Sequence, residues 1–239
     1  MESLITVTDF KMAFGDKTVI KKLNFEVKKG EIFGLLGSNG SGKTTTIRTL
    51  LNFYKPTGGE LHINGKTYSP DDDITIGYLP EERGLYKKES VIDTMVYFGN
   101  LKGLKNPREW SEKYLKRVGL GDKLNEKTEK LSTGQQQKVQ LGITIMNDPE
   151  LLILDEPTKG FDPVNRKLLM KIIDELHEKG STIIMITHYM DEVERLCDRA
   201  ILLKNGIAYA YGTIDEIKKK FGGKSLDDIF VEVYGGIDE

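Results

Sequence analysis

The chain has 239 residues, a net charge of -2, 38% hydrophobic residues and 30% charged residues. This composition is typical of a globular protein and excludes disordered, collagen-like and coiled-coil chains. The near balance of acidic and basic residues provides no overall field for nucleic acid, so no nucleic-acid partner is expected. The apolar runs are far shorter than the roughly 18 to 20 residues of a membrane-spanning helix, and the acidic N-terminus is unlike a signal peptide. A cytoplasmic protein is therefore expected.

Strand-like and helix-like segments alternate along most of the chain. Residues 3–36 have a strand pattern that runs into glycines, and residues 42–53 have a helical one. An Asn64-Gly65 pair predicts a turn between two short strands. Further strands are predicted at 74–79, 151–154 and 182–187, and helices follow the last two. This alternation predicts parallel pairing in a doubly wound α/β sheet.

Residues 83–149 differ from the rest of the chain, because their pattern is that of successive helices with good caps. Ser90 precedes the helical stretch 91–101, and Asn106-Pro107 precedes the stretch 108–118. This region is interpreted as a helical insertion in an α/β domain that spans residues 1–212. Two short helix-like stretches follow in residues 213–239, which form a short C-terminal extension.

A glycine-rich loop follows the apolar strand that ends at Leu36 and precedes a helix. The loop reads Gly37, Ser38, Asn39, Gly40, Ser41, Gly42, Lys43, Thr44. Glycines allow backbone N–H groups to surround an anion, the lysine places a cation on the outer phosphates, and the threonine hydroxyl can bind Mg²⁺. The sequence therefore predicts a phosphate-binding loop.

Two carboxylates stand at the end of the apolar run Leu151 to Leu154. Asp155 can hold the water shell of a metal, and Glu156 can accept a proton from an attacking water. Acidic residues after a strand often do no more than begin a helix, but the presence of the phosphate loop favours the catalytic interpretation.

The segment Leu131 to Gln135 is a cap followed by a helix. In isolation, Ser132 is an ordinary helix N-cap. The functional alternative is that Ser132, the Gly134 backbone and the helix dipole form a second anion site for a γ-phosphate. Both interpretations stay open on the sequence.

The order of these motifs resembles that of the ABC-type ATPases over residues 3–212. The phosphate loop, the Leu-Ser-x-Gly-Gln signature at 131–135, the carboxylate pair at 151–156 and Thr187-His188 all occur in the family's order. The resemblance implies a P-loop NTPase core with a mostly parallel sheet, an N-terminal antiparallel β subdomain and an inserted α-helical subdomain. The strings at 77–86 and 225–233 are similar to those of drug, sodium and antibiotic efflux ATPases.

The resemblance also implies roles for individual residues. Catalysis would involve Glu156, His188 and Glu81, and Mg²⁺ would be bound by Thr44, Asp155 and Glu81. ATP would be bound by Phe14, Gly37, Ser38, Asn39, Gly40, Ser41, Gly42, Lys43, Thr44, Thr45, Ser132, Gly134, Gln135 and Asp162.

Three positions depart from the family pattern. Thr133 replaces the usual second glycine of the signature, and Phe14 replaces a common tyrosine but keeps its ring face. Glu81 stands where a glutamine is usual. Its carboxylate could bind Mg²⁺, but without the metal it would repel the phosphates.

The expected function is that of an ATP-hydrolysing subunit that dimerises around two ATP molecules, with an identical or a different ATPase subunit. It would drive a separate membrane permease, as an exporter, from the inner face of the cell membrane. The alternative is an ABC ATPase of a non-transport machine, such as iron–sulfur cluster assembly. A small-molecule kinase is disfavoured, because it has no need of the signature or of His188.

Overall fold

The computed structural model describes residues 2–82 and 84–235. The first residue of the predicted helical insertion, Arg83, lies outside the described residues, as do Met1 and residues 236–239 of the predicted extension. The described chain divides into two compact units. The first contains residues 2–73 and 182–235, and the second contains residues 74–181.

Strands and helices alternate in the order that the sequence predicts. The strands are β1 (Ser3–Phe14), β2 (Lys17–Lys28), β3 (Ile32–Gly37), β4 (Gly58–Ile63), β5 (Ile76–Leu79), β6 (Leu151–Asp155), β7 (Thr182–Ile186), β8 (Arg199–Lys204) and β9 (Ile207–Thr213). The helices are α1 (Lys43–Leu50), α2 (Val91–Leu101), α3 (Pro107–Arg117), α4 (Thr133–Ile145), α5 (Pro163–Glu178), α6 (Met190–Leu196), α7 (Ile214–Lys220) and α8 (Leu226–Tyr234).

The first unit joins an antiparallel part to a parallel part. Strand β1 pairs antiparallel with β2 and with β4, which confirms the predicted N-terminal β subdomain. Strand β3 pairs parallel with both β7 and β8, and β9 returns antiparallel to β8. The strands β3 and β7 are buried along their whole length, because both of their faces are covered, as is usual for parallel sheets.

The described residues of the second unit include the parallel strands β5 and β6 and the helices α2, α3, α4 and α5. Helices α2, α3 and α4 pack on one another without any strand between them. The packing is tight at Gly142 of α4, where a Cβ atom would lie 2.4 Å from Cε1 of Tyr114 in α3. The Tyr114 hydroxyl donates to the carbonyl of Lys138, and burial raises the pKa of this tyrosine.

The predicted fold class is confirmed, with two local corrections. Helix α1 ends at Leu50 rather than at residue 53, because Asn52 takes a left-handed backbone conformation with φ of 60°. The Asn64-Gly65 turn is followed only by an isolated bridge between Ile63 and Lys66, not by a second strand. None of the helices in the described ranges combines the length and the hydropathy that crossing a membrane requires.

Candidate functional site

The phosphate loop is built as the sequence predicts, between the buried strand β3 and helix α1. Gly37 is required by a close contact with backbone, and Gly42 by its left-handed conformation. A Cβ atom on Gly37 would lie 2.7 Å from the carbonyl oxygen of Leu203, and one on Gly42 would lie 2.2 Å from Cδ1 of Ile20. Gly42, with φ of 105°, also supplies the helix cap without any side chain. The N-terminus of α1 therefore opens directly onto the loop, which suits an anion.

The interior of the loop is lined by a cation and a hydroxyl. Lys43 Nζ donates to the carbonyl of Gly37 at 2.8 Å and to that of Ser38 at 3.0 Å. The hydroxyl of Ser41 is buried and has no hydrogen-bond partner among the described residues. A buried hydroxyl without a partner is costly. A phosphate oxygen in the loop would satisfy it.

Phe14 lies at the end of β1 with 46% of its surface exposed. Tyr54 contacts it edge-on, with ring centroids 5.3 Å apart and an angle of 83° between the ring planes. The hydroxyl of Tyr54 is 3.5 Å from Nη1 of Arg48 in α1. An edge-on partner supports one side of the Phe14 ring, and an exposed ring of this kind suits the stacking of a base.

His188 belongs to the same unit as the phosphate loop. It follows β7 and is exposed, with its ring centroid 4.3 Å from that of Tyr189. Because β3 and β7 are parallel neighbours, their C-terminal ends meet at the same edge of the sheet. The structure therefore brings the predicted histidine and the phosphate loop to one edge.

Asp155 and Glu156 end strand β6 in the second unit. Asp155 is 3% exposed and Glu156 is 9% exposed. Glu156 has a left-handed backbone with φ of 50°, and its carbonyl accepts from the N–H of Lys159 at 3.2 Å. A strained conformation in a non-glycine residue persists only where the surrounding structure holds it. Asp148 of the same unit also has a left-handed backbone, with φ of 44°, but its side chain is exposed, whereas that of Glu156 is buried.

Glu81 forms an ion pair with Lys159. The Nζ atom of Lys159 lies 2.5 Å from Oε1 of Glu81. The expected charge of Glu81 is therefore balanced by a side chain of the same unit. Sequence reasoning missed Lys159, although a lysine in Pro-Thr-Lys-Gly directly after the carboxylate pair was a signal.

Ser132 is the N-cap of α4. Its hydroxyl accepts from the N–H of Gln135 at 3.3 Å, and the Gln135 side chain accepts from the N–H of Ser132 at 2.9 Å. This reciprocal capping box confirms the ordinary interpretation of Ser132. The second interpretation, an anion site, remains a prediction.

A cavity of about 420 Å³ lies beside this cap. Its lining includes four predicted site residues, Ser132, Gly134, Gln135 and Asp162, together with Lys138. Lys138 Nζ donates to the carbonyl of Val118 at 2.8 Å, and burial lowers the pKa of its ammonium group. The second unit thus gathers the predicted signature residues and Asp162 around one polar cavity.

Asp162 caps α5. Its Oδ1 atom accepts from the N–H groups of Val164 and Asn165, both at 2.9 Å. These bonds, first that from the backbone of Asn165, lower the pKa of Asp162 below its ordinary value. The carboxylate therefore has a structural role as the cap of α5.

Residues 20–159, which are more than half of the chain, match the family profile described as ABC transporter. The chain belongs to the ABC transporter family. This ABC transporter protein has its phosphate loop, signature and carboxylate pair inside the matched range, and the predicted family is confirmed.

Relatives of this ABC transporter protein share most of its length. An ABC transporter ATP-binding protein of Methanocaldococcus jannaschii is 45% identical over 222 residues, covering 92% of this chain and 81% of the relative. The linearmycin resistance ATP-binding protein of Bacillus subtilis is 34% identical, covering 99% and 76%. A Nod factor export ATP-binding protein of a Rhizobium species is 34% identical, covering 97% and 77%.

A solved structure of the ATP-binding subunit of an ABC transporter has the same fold. It superposes with a TM-score of 0.87 at 31% identity, covering 97% of this chain and 99% of that one. The chain is thus an ATP-binding subunit of the ABC transporter family, similar to members of the resistance and export type.

Proposed function

We propose that this chain binds ATP with Mg²⁺, hydrolyses it, and thereby drives a separate membrane permease, with export as the direction of transport. The observation that carries the proposal is the phosphate loop, which places Lys43 and the buried, unpartnered hydroxyl of Ser41 at the N-terminus of α1. The names of the linearmycin resistance and Nod factor export relatives support transport and its outward direction. They give no support to the alternative, an ATPase of iron–sulfur cluster assembly.

The residues present fit Mg²⁺. Thr44, at the start of α1, and Asp155, at the buried end of β6, offer a hydroxyl and a carboxylate. Mg²⁺ uses one or two protein oxygens, waters and substrate phosphates. The donor set therefore suits an ion that binds with the nucleotide, where it neutralises charge on the phosphate oxygens.

Hydrolysis needs a group that accepts the proton of the attacking water. The water oxygen forms a bond to the γ-phosphorus, the bond from that phosphorus to the β–γ bridging oxygen breaks, and ADP leaves with the electron pair. We assign the proton to Glu156, which directly follows β6 and is buried at 9% exposure. Lys43 and His188 would donate to the γ-phosphate oxygens, and Phe14 would stack on adenine.

A second ATPase subunit is proposed to complete each site. The support comes from the cavity beside the cap of α4, because a helix N-terminus in a polar recess suits the γ-phosphate of a partner's nucleotide. Ser132, Gly134 and Asp162 would then face the phosphate loop of the other subunit. Hydrolysis would remove the charge-assisted hydrogen bonds that join the two chains.

The permease is proposed to bind an aromatic patch formed by Tyr86, Tyr97 and Phe98 in the second unit. The three rings contact one another with centroids 5.5 to 5.8 Å apart. Tyr86 is 49% exposed and Tyr97 is 48% exposed, and exposed aromatic clusters are typical of protein interfaces. Through this contact the subunit would lie at the inner face of the cell membrane.

The shared site can be tested by mixing two inactive variants, Lys43→Ala and Ser132→Arg. In a heterodimer both lesions fall on one site and the other site stays intact, so ATPase activity returns in the mixture. Lys55→Ala, at an exposed lysine outside the loop, is the control and stays active alone. Heterodimers that form but neither hydrolyse ATP nor trap it at the intact site would contradict the proposal.

A further inference from the structure

Two segments of the second unit are joined by the ion pair between Glu81 and Lys159. Glu81 follows β5, and Lys159 lies in the turn between β6 and α5. The paired atoms are 2.5 Å apart, although 78 positions separate the two residues in the chain. Both side chains are about half exposed, at 57% for Lys159 and 48% for Glu81.

The lysine end of this pair lies in the turn that begins at Glu156. The N–H of Lys159 donates to the carbonyl of Glu156 at 3.2 Å, and that of Phe161 donates to the carbonyl of Thr158 at 3.0 Å. Glu156 has φ of 50° and Gly160 has φ of 80°. A bond that holds Lys159 therefore also holds the strained backbone of Glu156.

Helix α4 contacts the same two segments through glutamine side chains three residues apart on one face. Gln140 Nε2 donates to the carbonyl of Glu82 at 3.2 Å, and Gln137 Nε2 lies 3.5 Å from the carbonyl of Pro157. Both glutamines are buried. The ion pair thus closes a ring of contacts made by the loop after β5, the turn after β6 and α4.

Stability alone does not account for this pair. An ion pair between two half-exposed side chains adds little to the stability of a fold, because solvent screens it. Glu81 replaces an expected glutamine with a negative charge, and Lys159 supplies the matching positive charge at the turn of the catalytic glutamate. The pair matters because it holds the turn that begins at Glu156.

We propose that Lys159 is a positioning residue for Glu156. By pairing with Glu81 it fixes the turn 156–159, so that the Glu156 carboxylate is held in one place for proton transfer. The role of Glu81 that this implies is to anchor Lys159. The inference rests on the proposed ATPase function, and it predicts an effect on turnover rather than on nucleotide binding.

The test uses Lys159→Gln, Glu81→Gln and the charge-swapped double variant Glu81→Lys with Lys159→Glu. Each single variant should lower kcat for ATP about threefold to tenfold while KM changes little. Hydrogen exchange of the backbone over residues 156–161 should become faster in the same variants, since an anchor of the turn is lost. The swapped pair should restore both quantities to near the wild-type values.

Lys179→Gln is the matched control. Lys179 forms a somewhat more exposed ion pair with Asp148, at 2.9 Å, in the same unit. This substitution should change neither kcat nor the exchange of residues 156–161. The double variant Glu81→Gln with Lys159→Gln is used if the swapped pair does not fold. Its kcat for ATP should be no lower than that of either single variant.

Two results would overturn the proposal. One is a Lys159→Gln variant with wild-type kcat and wild-type exchange. The other is a swapped pair in which slow exchange returns but turnover does not, because the carboxylate at position 81 would then act directly. A wild-type chain that hydrolyses no ATP would instead refute the proposed function, and hydrogen exchange would still show whether the pair fixes the turn.

Discussion

The ring of Tyr54 meets the ring of Phe14 edge-on, with centroids 5.3 Å apart. Tyr54 follows α1, the helix of the phosphate loop, and Phe14 ends β1. The contact therefore connects the proposed adenine contact to the phosphate loop within one compact unit.

The first prediction is that Tyr54 supports adenine binding through Phe14. Phe14→Ala should weaken ATP binding, and Tyr54→Ala should weaken it about twofold to tenfold, since an aromatic pair of this geometry is worth about 0.5–1.5 kcal/mol. Calorimetric titration measures the affinity of each variant for ATP and for inorganic tripolyphosphate, which has no base. Phe53→Ala, at the exposed neighbour, is the control. Equal losses for ATP and tripolyphosphate would show that the rings do not contact the base.

The second prediction concerns the packing of α4 on α3. Gly142→Ala should lower the free energy of unfolding by about 1–3 kcal/mol, because its Cβ would lie 2.4 Å from the Tyr114 ring. Gly134→Ala in the same helix is the control, since its Cβ meets no atom closer than 3.4 Å. Urea denaturation of both variants measures the difference. A Gly142→Ala variant as stable as the control would contradict this packing.

The third prediction is a pH dependence due to Asp162. Its pKa is lowered in the folded chain, first by the hydrogen bond from the backbone of Asn165. The folded state therefore binds the proton more weakly than the unfolded chain does. The stabilisation is complete above the ordinary pKa of 3.8 and is lost as the pH falls through the lower folded value.

Asp162→Asn tests this dependence, because asparagine also caps helices but does not ionise. The difference in free energy of unfolding between the wild type and this variant should be constant from about pH 7 to pH 5 and should narrow below pH 3.8. Urea denaturation across this range measures it. A difference that stays the same down to pH 3 would show that the carboxylate charge adds nothing to the cap.

The fourth prediction concerns the aromatic patch. Tyr97→Glu should weaken the complex with a co-expressed permease at least about tenfold, because a charge at the centre of an apolar interface is costly. The ATPase activity of the isolated subunit should not change. Val231→Glu, at an exposed apolar residue of α8, is the control. Equal recovery of permease with Tyr97→Glu and with the control would place the interface elsewhere.

The sequence was sufficient for the fold and for the position of the glycine-rich loop between β3 and α1, because both depend on local patterns. Apolar runs become the buried strands β3 and β6. In the loop, Gly37 stands where the backbone of Leu203 leaves no room for a side chain, and Gly42 has a left-handed conformation. Helix caps at Ser90, Ser132 and Asp162 could also be predicted, since each side chain accepts a hydrogen bond from a backbone N–H group three positions later.

Contacts between distant residues were not predictable in this way. The pairing of Glu81 with Lys159 depends on the parallel register of β5 and β6, which brings together loops 78 positions apart. From the sequence alone, the Glu81 carboxylate was expected to repel the phosphates in the absence of a metal. The structure shows that Lys159 balances its charge. Tyr54 was missed for the same reason, because its partner Phe14 lies in another strand.

The turnover of Glu156→Gln tests whether this chain hydrolyses ATP with Glu156 as the base. Glu150→Gln, one residue before β6, is the matched control. Loss of the base should slow hydrolysis about 10²- to 10⁴-fold while the affinity for ATP stays near that of the wild type. Hydrolysis by Glu156→Gln at a rate close to that of the control would contradict the claim.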